Sequence, residues 1–303
     1  QKEGAFYNTR GDKEQGARDM NWDNIRQETD TDFVWHTDTE PVVEDTKLIV
    51  FHQNEKGFAS FQTGMGLIGS RKPVLGIFSK LFDVAAYNSI PEPSFPEWRM
   101  YETFTKSGKR VWVLRLTHIH NPPKNNMADH TWLYTYPVVR DVIKHLTGFG
   151  VNELIYMTAN QVQASMGYDR ATYINLDTSD LAIMDYNNAD DDDAFAVNQY
   201  GDEYQLDLVT VVPAWHFCSL FSSFCGNNKS NLLVHCGIDK KNFVDEKSSA
   251  TLSAYLQDEH DIWFSYDGKE QIQKIQSLLH DIETLTEARV LDNLQGGYMD
   301  EWI

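Results

Sequence analysis
Residues 63–70 read TGMGLIGS, which puts Gly64, Gly66 and Gly69 in the G-x-G-x-x-G spacing of a dinucleotide-binding turn. Such a turn needs its first glycine directly after the first strand of the unit. It also needs an acid closing a second strand about twenty residues on. The apolar, β-rich run before it, KLIVF at 47–51, is separated from Gly64 by the twelve residues 52–63. The stretch where the acid should stand is IPEPSFPE, 90–97, with three prolines in eight residues. Glu92 lies there with no strand ahead of it. The glycines are therefore read as a structural turn, letting the chain bend sharply and a helix lie close to a sheet. No nucleotide or other cofactor is expected.

Working outward from this stretch, KLIVF reads as a buried strand. Residues 70–87, SRKPVLGIFSKLFDVAAY, are expected to form a helix. Pro73 fits its first turn, and Leu75, Phe78, Phe82 and Ala85 fall on one face. WRMYETF and RVWVLRLTHI flank TKSGKR as a hairpin. Residues 135–150 show a helical stripe of Val138, Val142, Ile143 and Leu146, and VNELIYMTA, 151–159, is the next strand. TYINL, LAIMDY, DLVTVVP and NLLVHCGI read as further strands, with AWHFCSLFSSFCG as a helix between the last two. Helices are expected at 248–259 and 269–289. This alternation predicts one α/β domain over 47–303, with a central mixed sheet flanked by helices.

Residues 1–46 are polar and poor in aliphatics, and read as an extended N-terminal arm. Phe6, Tyr7, Trp22, Phe33 and Trp35 punctuate it. Isolated aromatics on a polar segment anchor it to a folded surface, of its own chain or of a neighbour.

The 303 residues carry a formal charge of −19. That argues against nucleic acid or an anionic membrane as partner, since both need a cationic face. No apolar run reaches membrane-spanning length, and the first residues show no apolar signal-peptide core. Three cysteines are too few for a disulfide framework, so a reducing, cytoplasmic setting is expected.

KLIVF, GMGLIGS and IPEPSFPEW together resemble the opening of the proteasome-assembly-chaperone family, second type, with its archaeal members. Gly64, Gly66, Gly69, Pro93, Phe95 and Pro96 match that layout. VVRDVIKHLTGFGVNELIYMTA is similar to the family's next helix, turn and strand, and the late stretch 245–287 to its closing helices. The resemblance implies a fold related to purine nucleoside phosphorylases. It also implies non-catalytic work: binding and assembling protein subunits, as a homo- or hetero-oligomer. Archaeal members end in a hydrophobic residue, a tyrosine and any residue, which dock into the proteasome. This chain ends Glu301-Trp302-Ile303, with Glu at the hydrophobic position, and Trp302 and Ile303 are the candidate docking residues.

Two other functions stay open at this point. One is a structural subunit of a large particle such as a virion. The other is a phosphorylase-like nucleoside enzyme, for which Ser70, Arg71, Arg115 and Asp180 are the candidates. His216, Cys218, Cys225, His235 and Cys236 contain ligands enough for zinc, but without C-x-x-C they read as core residues and free thiols. His118 and His120, with His52 or Asp129, could hold a ligand at a strand end. ADDDDA, 189–194, lacks the glycine and terminal Glu of a calcium loop.

Overall fold
The computed structural model describes residues 31–38, 40–52, 59–79, 97–116, 131–161, 180–187, 195–197, 203–205, 212–226, 229–238 and 246–292. KLIVF lies in strand β2 (Thr46–His52), buried from end to end except at His52. A strand apolar on both faces belongs in the middle of a sheet, and β2 runs parallel to β5 (Arg110–Leu116) on one side and to β6 (Val151–Gln161) on the other. β6 in turn runs parallel to β10 (Asn231–Ile238).

Antiparallel strands extend this parallel centre both ways. The expected hairpin forms from β4 (Glu97–Phe104) and β5, turning at Gly108 with φ +92°. Beyond β4 come β3 (Leu75–Ser79) and the edge strand β1 (Thr31–Trp35). On the far side β10 pairs with β7 (Leu181–Asp185), followed by β8 (Phe195–Val197) and β9 (Glu203–Gln205). Among the described residues the sheet has ten strands in the order β1-β3-β4-β5-β2-β6-β10-β7-β8-β9.

Helices cover both faces. α2 (Thr131–Gly148) and α3 (Val212–Cys225) close a core with Leu48, Trp98, Trp112, Tyr156 and Phe217. α1 (Ala59–Ile68), α4 (Glu246–His260) and the start of α5 (Tyr266–Asp292) close the other, with Ile49, Phe51, Val113, Ile155 and Val234. Alternate residues of β2 thus feed opposite cores, as the two-residue period of a strand requires.

Two local expectations are corrected. The glycine stretch is helix: Gly64 and Gly66 lie inside α1, and all ten residues of α1 are buried. Gly69 follows as its left-handed C-terminal cap, φ +55°, with its N–H donating to the Met65 carbonyl at 2.8 Å. Each interior glycine costs a helix about 1 kcal/mol against alanine, so local sequence alone reads as loop. The close contacts described below override that cost. Residues 75–79, expected as helix, are strand β3. Leu75 and Ile77 enter the core at the period of a strand, and the helical spacing that includes Phe82 and Ala85 runs into residues outside those described. Of the segment expected as an arm, residues 31–35 form β1 and Thr46 opens β2. TYINL and most of DLVTVVP fall outside the described residues, while Val212 and Pro213 begin α3.

Candidate protein-binding surface
Two residues apart on an α-helix means about 200° around its axis. Gly64 therefore faces the sheet while Gly66 faces away from it. A Cβ on Gly64 would stand 2.4 Å from the Phe51 ring of β2, and one on Gly66 would stand 2.4 Å from Ile272 of α5. The spacing lets one helix be clamped on both sides. Just beyond, Ser70 donates to the Asp267 carboxylate through its N–H at 3.0 Å and its hydroxyl at 2.7 Å. Arg71 caps α1 by donating to the Leu67 and Ile68 carbonyls.

This packing brings the start of α5, and the connection from α4, to the N-terminal ends of the parallel strands. There Lys47 of β2 and Lys109 of the hairpin both bind Glu153 of β6, Lys47 at 3.1 Å. Burial works to raise the Glu153 carboxyl, and the two ammonium groups more than offset it, leaving it below its ordinary value. The Lys47 ammonium also donates to the carbonyl of His260, the last residue of α4, at 3.5 Å. Asp261 then adopts φ 58°, a left-handed conformation that Asp tolerates better than bulky residues. From that turn its carbonyl accepts from the Lys106 N–H at 2.9 Å and its carboxylate from the Ser107 N–H at 2.8 Å.

The connection is thereby stitched to the hairpin as a short antiparallel bridge, Thr105 opposite Ile262. Those two side chains point inward and are buried. Their neighbours in the same register, Phe104 and Trp263, lie opposite each other on the outer side, 52% and 48% exposed. The Lys106 ammonium sits 4.9 Å from the Trp263 ring centroid, and Tyr266, 79% exposed, follows on the first turn of α5. The result is an exposed aromatic patch mounted on hydrogen-bonded backbone. Sequence reading missed it because its halves lie about 160 residues apart in the chain, and only the bridge joins them.

The residues singled out from sequence are placed elsewhere. Phe33 and Trp35 pack from β1 against the α2 side of the core. Phe6, Tyr7, Trp22, Pro93, Phe95, Pro96, Trp302 and Ile303 lie outside the described residues, as do His118, His120, Asp129 and the ADDDDA run. Cys218 belongs to one core and Cys236 to the other, with the sheet between them. The three cysteines are free thiols. No cluster of three metal-ligating side chains occurs among the described residues.

The phosphorylase candidates do not converge. Arg115 lies over the Phe61 ring near the start of α1, whereas Ser70 and Arg71 lie past its other end, about 15 Å away at 1.5 Å per residue. Asp180 precedes β7, four strands from β5.

No helix among the described residues is long and apolar enough to cross a membrane. No protein-family model and no curated protein matches the chain. Solved structures do. PbaB of Pyrococcus furiosus, an archaeal proteasome activator, is matched with a TM-score of 0.52 at 14% identity, over 85% of this chain and 98% of that one. A protein of unknown function from Thermoplasma acidophilum is matched at 0.51 and 9% identity, over 83% of this chain and 91% of that one. PbaA of Pyrococcus furiosus, an archaeal homologue of proteasome-assembly chaperone, is matched at 0.49 and 12% identity, over 86% and 99%. At these identities the likeness is one of fold, and the α/β fold of this chain is the one found in PbaB.

Proposed function
We propose that this chain is a non-catalytic protein-binding or assembly factor whose partner is a proteasome-type subunit assembly. The observation that carries the reading is the Phe104–Trp263–Tyr266 patch. Large aromatics on rigid backbone are what protein interfaces use as anchors, because little side-chain entropy is lost when they are covered. The fold shared with an archaeal proteasome activator supports the same class of partner. Free cysteines, two of them buried, fit a reducing cytoplasm. A nucleoside phosphorylase draws no support from the scattered positions of Ser70, Arg71, Arg115 and Asp180. The virion reading draws none from the fold comparison.

The test is to mix the purified chain with the purified proteasome core of its own host and measure co-elution and mass by light scattering. Binding that is lost in Trp263→Ala/Tyr266→Ala, with the melting temperature kept, is the expected result. Binding abolished only by removing Glu301–Ile303 would move the contact to the C-terminus. No binding, combined with phosphate-dependent cleavage of nucleosides, would replace this reading with the enzyme.

A further inference from the structure
Among the described residues, strand β1 lies at one end of the strand order and pairs with β3 alone. Its inner face carries Phe33 and Trp35, and its outer face Asp32 and Val34. Phe33 stacks on the imidazole of His145, on α2, with ring centroids 3.9 Å apart and planes 12° apart. Trp35 meets the same imidazole at 5.9 Å, and Phe149 closes it edge-on at 5.2 Å. One helical turn earlier, Asp141 accepts from the Thr31 hydroxyl at 3.1 Å. The strand is held to the body by its ladder with β3, by the His36 N–H on the Val74 carbonyl at 2.9 Å, by the stack on His145, and by Trp35 against Trp112 at 5.8 Å and Phe149 at 5.2 Å. Nε2 of His145 is buried with no hydrogen-bond partner among the described residues.

We propose that β1 is a latch on the sheet edge, released when His145 takes up a proton. A protonated imidazole donates from both nitrogens. In the docked state the Nε2–H would be enclosed by aromatic rings with nothing to accept it, whereas release of β1 opens it to water. The face of Phe33 attracts a cation, which lessens the effect without supplying an acceptor.

The titratable and charged groups on the surrounding elements are Asp141 and Lys144 on α2, Asp32 and His36 on and beside β1, Asp38, Glu40 and Glu44 in the segment that follows, and Arg110 on β5. Asp141 is engaged by Thr31 and by Arg140. Burial holds the His145 imidazole below its ordinary value, and the Glu40 charge works against it without prevailing. The released histidine therefore binds its proton near the ordinary value of about 6.5, and the docked one only at lower pH. Docking is complete above that pH and weakens as pH falls through it. With no proton taken up in the docked state, opening increases about tenfold between pH 7.5 and 5.5. Release leaves β3 as an open edge.

Amide hydrogen exchange tests the latch, with rates corrected for intrinsic exchange and the His145→Phe chain as the control for any effect of acid on the fold as a whole. The expected result is that residues 31–36 lose about tenfold in protection between pH 7.5 and 5.5 in the parent chain. His145→Phe keeps the stacked ring without the titration, and should keep β1 protected at both pH values. Phe33→Ala should leave β1 weakly protected at both. Protection of β1 that is independent of pH, or the same loss in His145→Phe, would overturn the proposal.

Discussion
Gly268 and Gly66 meet so closely that a Cβ on Gly268 would stand 2.1 Å from the Gly66 carbonyl oxygen. The obstacle is backbone, which cannot rotate aside, so α5 and α1 can approach this far only with glycine at 268.

Gly268→Ala should therefore destabilise the chain, although alanine is the better helix former. Separating the two helices is expected to cost about 1–3 kcal/mol, more than the 0.5–1 kcal/mol that alanine returns. Gly66→Val should cost a similar amount by displacing Ile272. Urea midpoints check both, and a midpoint equal to that of the parent chain would show that α5 can yield.

Acid should weaken the fold before any carboxylate titrates. Burial pushes His216, His235 and His260 down to about 4, with Lys47 adding to the effect at His260. Their folded values lie below the unfolded value of about 6.5. The unfolded chain therefore binds more protons, and the stability they contribute is complete above pH 6.5 and declines as pH falls towards 4. Each group resists by roughly 1.4 kcal/mol per pH unit across that window. Chemical denaturation at pH 7.5, 6 and 5 should show a flat limb and then a fall. Equal midpoints at 7.5 and 5 would mean that these imidazoles are wetter than the packing indicates.

Arg110 ties the segment before β2 to the body. Its guanidinium donates to the Thr46 hydroxyl at 2.7 Å and to the Val42 and Phe149 carbonyls, each at 3.0 Å. It pairs with Glu44 at 3.1 Å and lies 4.3 Å from the Trp112 ring centroid. Arg110→Met leaves several of these acceptors unpaired, with an expected loss of about 3 kcal/mol. Lysine cannot reproduce the planar fork, so Arg110→Lys should recover only part of it. Thermal melts of the two variants provide the comparison, and a lysine variant as stable as the parent would show that charge alone suffices.

A chain begun at residue 39 loses β1, and with it the half-buried Phe33 and Trp35. At about 1.5–3 kcal/mol for a fully buried large side chain, two half-buried ones give an expected cost of about 1.5–3 kcal/mol. A truncated chain with an unchanged urea midpoint would show that β1 adds nothing to the body.

Much of the architecture is legible in the amino-acid order, because it is set by local periodicity. KLIVF, RVWVLRL and NLLVHCGI are apolar on both faces and can only be strands in the interior of a sheet. The stripe of Val138, Val142, Ile143 and Leu146 can only be a helix packed on one side. What the order of residues could not supply is whatever depends on contacts between distant segments. Gly64 and Gly66 read as a loop, since glycine disfavours a helix. They are helical because Phe51 on one side and α5 on the other leave no room for a side chain. Leu75 and Phe78 fit a helix or a strand equally well, and pairing with Arg99, Trp98 and their neighbours decides for the strand. The aromatic patch is the extreme case. Phe104 and Trp263 carry no local sign of each other, and they share a surface because the left-handed turn at Asp261 binds the hairpin tip. Periodicity reports which face of an element is buried, whereas only closure of the chain determines which element lies against it.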